Sequence, residues 1–258
     1  MSSEDLHRER LQRERRHFEQ RADQFDEPYW AERRPIALHR RQMRTRALVE
    51  AASGGGALVL AHMLEVGCGT GNHTEWLVRQ SEATVVASDL TTGLLRRARS
   101  LAPDRVRLAG ADASCLPFRN ESFDAVVGNA ILHHLALERA VPEMLRVLRP
   151  GGRLCFAEPN LANPHVFLML KIPWLRRLAG ATEDETAFLR GRIRRTLEGL
   201  GLERVTVRPF DFLYPLVPRR LIGALDRLGR ALEATPGVRE IAGSLLISGE
   251  KPALRARS

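Results

Sequence analysis

The chain has 258 residues, 44% hydrophobic and 28% charged, which is enough for one large domain with a sizeable core. Its longest uninterrupted apolar stretches, such as residues 166–170, fall far short of the roughly 20 residues that cross a bilayer, which excludes a transmembrane helix. Cys68, Cys115 and Cys155 are odd in number and lack metal-ligand spacing. We therefore expect neither a disulfide framework nor a metal site.

The net charge of +9 is concentrated toward the C-terminus, because residues 171–258 hold 17 basic and 10 acidic groups, a net +7. A basic surface attracts polyanions, anionic lipids or acidic small molecules, and a solvated arginine-rich surface is the plain alternative. Residues 1–20 mix acids with arginines and lack the apolar core of a signal peptide. We expect a cytoplasmic protein, with peripheral membrane contact through the basic C-terminal third as an open alternative. Nothing in the sequence indicates an oligomeric state.

Two helical patterns open the chain. Residues 4–27 are highly charged and carry four apolar residues at near-helical spacing, which are Leu11, Phe18, Ala22 and Phe25. This spacing predicts a helix with a narrow buried stripe. A second helical pattern covers residues 36–52, and residues 53–56 predict a flexible joint. We expect residues 1–52 to form a helical N-terminal cap on a main domain at 57–258.

Short apolar segments then alternate with helical patterns, which predicts an α/β fold around a parallel sheet. The predicted strands are at 61–66, 84–88, 106–109, 123–128, 153–157, 202–208 and 244–248. The predicted helices are at 72–80, 92–101, 137–148 and 184–200. Three prolines, Pro159, Pro164 and Pro173, predict an irregular region after the fifth strand.

The first strand runs directly into three alternating glycines, Gly67, Gly69 and Gly71, and then into a helix. Glycine permits a positive φ and the close approach of a ligand, while the helix start offers unpaired N–H groups. This pattern is typical of a nucleotide-like ligand. The dinucleotide fingerprint needs its third glycine at the sixth position, where this chain has Asn72, so an NAD site is disfavoured.

Acidic residues follow the next two strands. Asp89 lies 22 residues after Gly67 and is suited to accept hydrogen bonds from both hydroxyls of a ribose. The alternative is that Asp89 complements the dipole of the following helix. Asp112 follows the third strand and is suited to accept a hydrogen bond from an adenine amino group. The ends of three consecutive strands thus carry polar groups that are suited to bind one adenosine.

These residues resemble the class I S-adenosylmethionine (SAM)-dependent methyltransferases, in the small-molecule branch that includes the quinone C-methyltransferases. The resemblance spans residues 57–160 and includes the segments 122–127, 132–135 and 148–152. It implies a Rossmann-like, seven-stranded, mostly parallel sheet with the last strand antiparallel and helices on both faces. It also implies a SAM-binding core at 57–160, a substrate-side region at 160–258, and S-adenosylhomocysteine (SAH) as the product.

The resemblance implies which residues surround the cofactor. They are Glu65, Gly67, Cys68, Gly69, Gly71, Asp89, Leu90, Asp112, Ala113 and Asn129. Four further residues follow strand ends on the ligand side and are candidates for a base, namely His133, His134, Glu158 and His165. His134 is the first choice, because a loop before a helix can present it to the cleft. Packing of both histidines and a structural role for Glu158 are the alternatives.

Two apolar segments lie in the substrate-side region. Residues 166–179 could wall an apolar pocket, lie on an anionic membrane surface or form a packing helix, and residues 210–217 predict an irregular lid. Tyr29 and Trp30 are candidates for an aromatic lid over the cofactor, with a satellite hydrophobic cluster as the alternative. Together the segments favour an apolar acceptor.

We therefore expect methyl transfer to O, N or C of a small apolar metabolite, such as a quinone, polyketide-like or lipid-linked acceptor. An RNA methyltransferase is one alternative, suggested by the +7 C-terminal third. Nucleic acid is disfavoured as a partner, because residues 128–131 lack the Asn/Asp-Pro-Pro-aromatic run and no Pro-Cys pair occurs. A non-catalytic SAM-binding scaffold is the second alternative, and an NAD-dependent dehydrogenase is the least favoured.

Overall fold

The computed structural model describes residues 3–21, 35–101, 104–179, 186–214 and 217–253. The strands in these ranges are β1 (His62–Val66), β2 (Thr84–Asp89), β3 (Val106–Gly110), β4 (Phe123–Asn129), β5 (Leu148–Pro159), β6 (Glu203–Phe210) and β7 (Ser244–Glu250). The helices are α1 (Ser3–Arg21), α2 (Pro35–Ala52), α3 (Asn72–Gln80), α4 (Thr92–Leu101), α5 (Leu137–Val147), α6 (Pro164–Lys171), α7 (Pro173–Ala179), α8 (Arg190–Gly199) and α9 (Ile222–Ala234). Short 3₁₀ turns cover Leu132–His134, Arg219–Leu221 and Val238–Ile241.

The strands form one seven-stranded sheet in the order β3-β2-β1-β4-β5-β7-β6. The pairs among β1 to β5 are parallel, while β7 runs antiparallel to both β5 and β6. The chain therefore reverses direction only at β7, which lies between two strands that point the other way. The expected mostly parallel Rossmann-like sheet with an antiparallel last strand is confirmed.

Alternating side chains of the central strands build two hydrophobic layers. In β4, Val126 joins the core layer that includes helices α5 and α8, whereas Ala125 and Val127 join the layer that includes α2 and α3. This alternation follows from the two-residue period of a strand, and near-continuous burial is typical of a parallel sheet covered on both faces. Helices on both faces, as expected from the sequence, are thus confirmed.

Helix α8 begins later than the sequence pattern predicts. The expected helix at 184–200 starts only at Arg190, and residues 184–185 lie outside the described ranges. The backbone of Phe188 pairs instead with the segment that follows β5, since Phe188 N donates to Pro159 O and Leu161 N donates to Phe188 O. Because these groups are committed to a bridge, they are not available for a helical turn, and the predicted start is wrong.

The region after β5 is more regular than predicted. Pro164 and Pro173 each begin a helix, as proline does where the missing N–H would be unpaired anyway. The side chain of Asn163 caps α6 by accepting a hydrogen bond from Val166 N at 3.1 Å. The expectation of an irregular region is therefore wrong for residues 164–179, because its prolines start helices rather than interrupt them.

The segment after β6 contains a buried ion cluster rather than a lid. Phe210 and Leu213 are buried, so the predicted lid is wrong for these two residues. Asp211 is buried between Arg40 and Arg44 of α2, with Nη2–Oδ2 distances of 2.7 and 2.8 Å. Burial acts to raise the pKa of Asp211, but the two guanidinium groups outweigh it, so the pKa is lowered. This cluster ties the N-terminal helix α2 to the end of β6.

The N-terminal segment contains two helices. Helix α1 confirms the predicted helix up to Arg21, while the predictions for Ala22, Phe25, Tyr29 and Trp30 lie outside the described residues. Helix α2 contributes Leu48 and Ala52 to the core layer that also includes residues of α3. The division into a cap at 1–52 and a domain at 57–258 stays a prediction. None of the described helices combines the length and apolar character of a membrane span.

His73 of α3 gives the packing of α2 on α3 a pH dependence. Burial, followed by the charges of Arg41 and Arg44, lowers the pKa of His73 from 6.5 to about 3, and His73 Nδ1 lies 3.1 Å from Thr45 Oγ1. Below about pH 6.5 the unfolded chain binds a proton at His73, whereas the folded chain does not. The free energy of unfolding therefore falls as the pH is lowered from about 6.5 toward 3.

We expect His73→Asn, which keeps an acceptor for Thr45, to remove this dependence. Between pH 7 and 5 the wild type should lose about 2 kcal/mol more unfolding free energy than the variant. Urea titrations at both pH values measure the difference, with exposed His62→Asn as the control. Equal losses in wild type and His73→Asn would show that the folded chain does not hold His73 neutral.

Candidate functional site

The carboxyl ends of four parallel strands meet at one edge of the sheet. The register pairs Val66 with Ser88, Asp89 with Gly110 and Glu65 with Val127, so the loops after β1 to β4 leave the sheet side by side. Ligands of open α/β sheets bind at this edge, where the strand order changes direction. Here the order changes at β1, which lies between β2 and β4.

The three glycines after β1 have different roles. All have positive φ, but a Cβ on Gly67 would lie 2.5 Å from Ile131, and one on Gly71 would lie 3.1 Å from Ala98. These two positions allow close packing with the loop after β4 and with helix α4. A Cβ on Gly69 would meet no atom within 4 Å. Only Gly69 of the three thus exposes its backbone to open space.

Asp89 joins the loop after β2 to the glycine-rich loop. Its Oδ2 accepts a hydrogen bond from Gly69 N at 2.9 Å, and its Oδ1 accepts one from Thr91 N at 2.8 Å. Burial raises the pKa of Asp89, against the lowering effect of these two bonds. The side chain thus shapes the loop at Gly69, and Leu90 follows it directly in the chain.

The loops after β3 and β4 present further acceptors. Asp112 Oδ1 accepts hydrogen bonds from the backbone N and the Oγ of Ser114, both at 2.8 Å, and neighbouring Ala113 is buried. Among the described residues, no group donates to Asn129 Oδ1, although this atom is buried at the end of β4. A buried amide oxygen without a donor is costly, so a ligand that donates a hydrogen bond would satisfy it.

Glu65 and Cys68 lie below the open edge rather than on it. Thr74 Oγ1 donates to Glu65 Oε2 at 2.5 Å, which ties β1 to α3, and burial raises the pKa of Glu65 to about 7 despite this bond. Cys68 is buried, and burial raises the pKa of its thiol. The side chains of both residues are therefore directed into the protein.

Glu158 holds the loop after β4 from the end of β5. Its Oε1 accepts hydrogen bonds from Ile131 N and Leu132 N, both at 2.9 Å, and its Oε2 lies 2.6 Å from His133 Nδ1. Both Glu158 and His133 are almost completely buried. The two candidate bases therefore contact each other, and both carboxylate oxygens of Glu158 are engaged with the loop.

His134 is the histidine of the pair that contacts helix α1. Its Nδ1 lies 3.2 Å from Glu14 Oε2, and its carbonyl oxygen accepts a hydrogen bond from Arg10 Nη2 at 3.1 Å. The ring of Phe18 meets the imidazole edge to face at a centroid distance of 5.3 Å. Glu14 is only 6% exposed. A carboxylate, a cation and an aromatic ring of one helix thus surround His134.

Sequence reasoning did not find this contact between α1 and His134. Arg10, Glu14 and Phe18 are spaced four residues apart, which places them on one face of the helix. The spacing alone gives no sign of the partner, which lies about 120 residues away. His165, the remaining candidate base, contacts Tyr214 instead, with ring centroids 4.9 Å apart.

Comparison with known proteins places this edge in a family. A family model described as a methyltransferase domain matches residues 64–156. A malonyl-[acyl-carrier protein] O-methyltransferase of Methylococcus capsulatus is 35% identical over 152 residues, 56% of this chain and 53% of the relative. A demethylmenaquinone methyltransferase of Mycobacterium sp. strain KMS is 35% identical over 154 residues, 55% of this chain and 64% of the relative. Residues 64–156, which include the loops of this edge, thus match a methyltransferase domain.

A solved structure shares the fold of this protein. It is a SAM-dependent methyltransferase of Thermotoga maritima, described as a possible histamine N-methyltransferase, with a TM-score of 0.63 and 18% identity. The alignment covers 92% of this chain and 99% of that protein. The sequence matches span between about half and two thirds of the two curated relatives. The family match favours SAM over the dinucleotide cofactors considered above.

The residues at the sheet edge of the methyltransferase domain fit SAM. Gly69 offers open space above its backbone, Asn129 Oδ1 lacks a donor among the described residues, and Asp89 and Asp112 follow neighbouring strands. The cofactor carries an ammonium group, ribose hydroxyls and an adenine amino group, all of which donate hydrogen bonds. We propose that these four residues hold the cofactor, with Leu90 and Ala113 beside them.

Gly69→Ala tests whether the cofactor lies over the glycine-rich loop. Gly69 and Gly55 both have positive φ, 55° and 69°, and a Cβ on either would meet no atom within 4 Å. Each alanine variant should lose about 1 to 2 kcal/mol of unfolding free energy from the strained backbone. Only Gly69→Ala should weaken SAH binding, by at least tenfold, because its methyl group would enter the space of the ligand.

Calorimetric titration with SAH and urea unfolding of both variants measure the two effects separately. Gly55→Ala is the matched control, because it carries the same backbone strain far from the sheet edge. An unchanged SAH affinity in Gly69→Ala would exclude a ligand close to this backbone.

Proposed function

We propose that the protein transfers a methyl group from SAM to an O, N or C atom of a small apolar metabolite. The observation that carries this proposal is that His134 follows β4 in the loop that begins after Asn129, at the same end of the sheet as the glycine-rich loop. SAM supplies a methyl group already activated by its sulfonium charge. The protein's own task is then to position the reactants and to exclude water, which can lower the barrier by roughly 7 to 11 kcal/mol.

The acceptor class is supported by the relatives and by the apolar substrate-side region. The two relatives act, by name, on demethylmenaquinone and on a malonyl group carried by a protein. We favour a quinone-like or lipid-linked acceptor, because exposed apolar residues Phe167, Leu168 and Trp174 follow β5 beside the site. A polyketide-like acceptor has the same apolar character.

His134 is the base in this proposal. Removing a proton from a hydroxyl or an acidic carbon requires an imidazole that is held in one orientation. Glu14 Oε2 lies 3.2 Å from His134 Nδ1, where its negative charge stabilises the imidazolium that forms when Nε2 takes the proton. Glu14 is thus a positioning residue that acts through His134. His133 and Glu158 hold the loop beneath it.

RNA is disfavoured as the acceptor. Many arginines of the basic C-terminal third are paired with acids, as in Arg190 with Glu240 and Arg194 with Glu198. These arginines are engaged with carboxylates and are therefore less open to a phosphate backbone. A non-catalytic scaffold is also disfavoured, because a scaffold has no need of a histidine oriented beside the cofactor edge.

Transfer of a labelled methyl group tests the proposed reaction. The full chain is incubated with methyl-labelled SAM and a bacterial cell extract, which is then separated into organic-soluble, aqueous, nucleic-acid and protein fractions. We expect the label in the organic-soluble fraction. Label in RNA would overturn the acceptor class, and release of no SAH with any fraction would favour the scaffold.

The roles of His134 and Glu14 are tested with the acceptor fraction found in this way. His134→Ala should lower turnover by about 10²-fold or more, and Glu14→Gln by about tenfold, with SAH affinity nearly unchanged in both. The matched controls are His62→Ala at the opposite edge of the sheet and exposed Glu9→Gln on α1.

The double variant separates positioning from stability. If Glu14 acts through His134, adding Glu14→Gln to His134→Ala should cause no further loss of turnover. Additive losses would show that Glu14 only stabilises the fold. A loss of turnover below about threefold in His134→Ala would show that His134 has only a packing role.

A further inference from the structure

Helix α6 is apolar but none of its residues is buried. Its sequence, PHVFLMLK, contains five consecutive apolar residues, and Phe167 and Leu168 are exposed. Trp174 at the start of α7 is 65% exposed. A helix of a globular protein normally buries its apolar stripe against the core, so this exposure indicates a surface that contacts something else.

Further exposed apolar residues lie next to this helix. The amide of Asn163, which caps α6, donates to Ile241 O at 2.7 Å, and His165 contacts the ring of Tyr214. Ile241 and Tyr214 are themselves exposed. Five exposed residues from three parts of the chain therefore form one region, which we call the apolar surface, consisting of Phe167, Leu168, Trp174, Tyr214 and Ile241.

The segments that build most of this surface contain no acidic residue. Residues 159–182 and 212–225 lack Asp and Glu altogether, yet they carry Lys171, Arg219 and Arg220. Within the described ranges, no acidic side chain pairs with these three cations. By contrast, the arginines of α8 and β6 include several that are paired with glutamates.

We propose that the apolar surface docks on an anionic phospholipid bilayer. Exposed Trp and Phe rings enter the boundary between headgroups and acyl chains, while lysine and arginine beside them contact anionic headgroups. Glu240, which precedes Ile241, is paired with Arg190 at 2.6 Å, so its charge is compensated next to the surface. This proposal goes beyond the transferase function and does not rest on it.

A bilayer fits these observations better than the other polyanions. RNA binding would require cations along an extended track, and RNA makes few favourable contacts with exposed aliphatic side chains such as Leu168 and Ile241. An acidic protein would satisfy the cations, but Lys171, Arg219 and Arg220 have no paired acid within the described ranges, so the surface offers few of the mixed charges that fix the orientation of a protein partner. Exposed apolar side chains together with Lys171, Arg219 and Arg220 match the chemistry of an anionic membrane.

The location of the surface gives the docking a consequence for substrate entry. Helix α6 follows β5, whose residue Glu158 holds the loop that carries His134. A membrane contact at α6 and α7 would therefore bring the sheet edge close to the bilayer. An acceptor dissolved in the membrane could then reach the site without crossing water.

Sedimentation with vesicles tests the proposal on the purified full chain. The vesicles contain either phosphatidylglycerol and phosphatidylcholine in equal amounts or phosphatidylcholine alone. We expect binding to the anionic vesicles and at least tenfold weaker binding to the neutral ones. The double variant Phe167→Ser/Trp174→Ser should bind the anionic vesicles at least tenfold more weakly than the wild type, with its thermal unfolding unchanged.

Matched controls distinguish vesicle binding through the apolar surface from nonspecific hydrophobic or electrostatic binding. The control Val59→Ser removes an apolar residue that is 85% exposed at the opposite edge of the sheet, and it should leave vesicle binding unchanged. Lys171→Glu/Arg219→Glu should weaken vesicle binding by at least fivefold, whereas Arg192→Glu/Arg195→Glu on α8 should leave it nearly unchanged. Equal losses in the two charge-reversal pairs would overturn the assignment to this surface.

Two further outcomes would also overturn the proposal. Failure of the wild type to bind anionic vesicles is the first, and binding that Phe167→Ser/Trp174→Ser leaves unchanged is the second. Displacement of the vesicles by bulk RNA at low concentration would assign the cations to nucleic acid instead.

Discussion

The arrangement of the candidate site depends on the buried carboxylate of Glu158. A carboxylate in the interior costs several kcal/mol unless it is paired and hydrogen-bonded. Here it meets Ile131 N, Leu132 N and the imidazole of His133, which all belong to the loop after β4. Because Ile131 also packs over Gly67, one buried charge sets the distance between the glycine-rich loop and the loop that carries His134.

Polar contacts extend this arrangement to the N-terminal helix. Helix α1 is mostly charged, so an apolar stripe alone does not decide where it docks. Glu14 meets His134 at one loop of the sheet edge, and Glu19 Oε2 accepts a hydrogen bond from Gly93 N at 3.2 Å in the first turn of α4. Carboxylates favour helix N-termini, where free N–H groups and the helix dipole attract them. Two glutamates thus hold α1 on two loops of the proposed cofactor site.

The sequence allowed the sheet and the glycine-rich edge to be predicted, because strand periodicity and glycine spacing are local signals. The same locality explains the errors. The start of α8 was predicted too early because Phe188 pairs with the backbone after β5, a tertiary contact. Pro164 was expected to interrupt regular structure, but it begins a helix that Asn163 caps. The contact of Glu14 with His134 was not predicted for a different reason. A charged residue on a charged helix looks like a solvated one until its partner across the fold is known.

The position of β7 imposes an order on how the chain acquires its fold. Among the described strands, β6 pairs only with β7, and β7 inserts between β5 and β6, so the sheet is incomplete until residue 250 has left the ribosome. Before then β5 has an open edge, which is a template for pairing with other chains. The buried cluster of Arg44 and Asp211 also includes Ser244 of β7, whose Oγ lies 2.7 Å from Arg44 Nη2. Helix α2 and strand β7 therefore become rigid together, and nascent chains stalled before β7 are the species most exposed to aggregation and proteolysis.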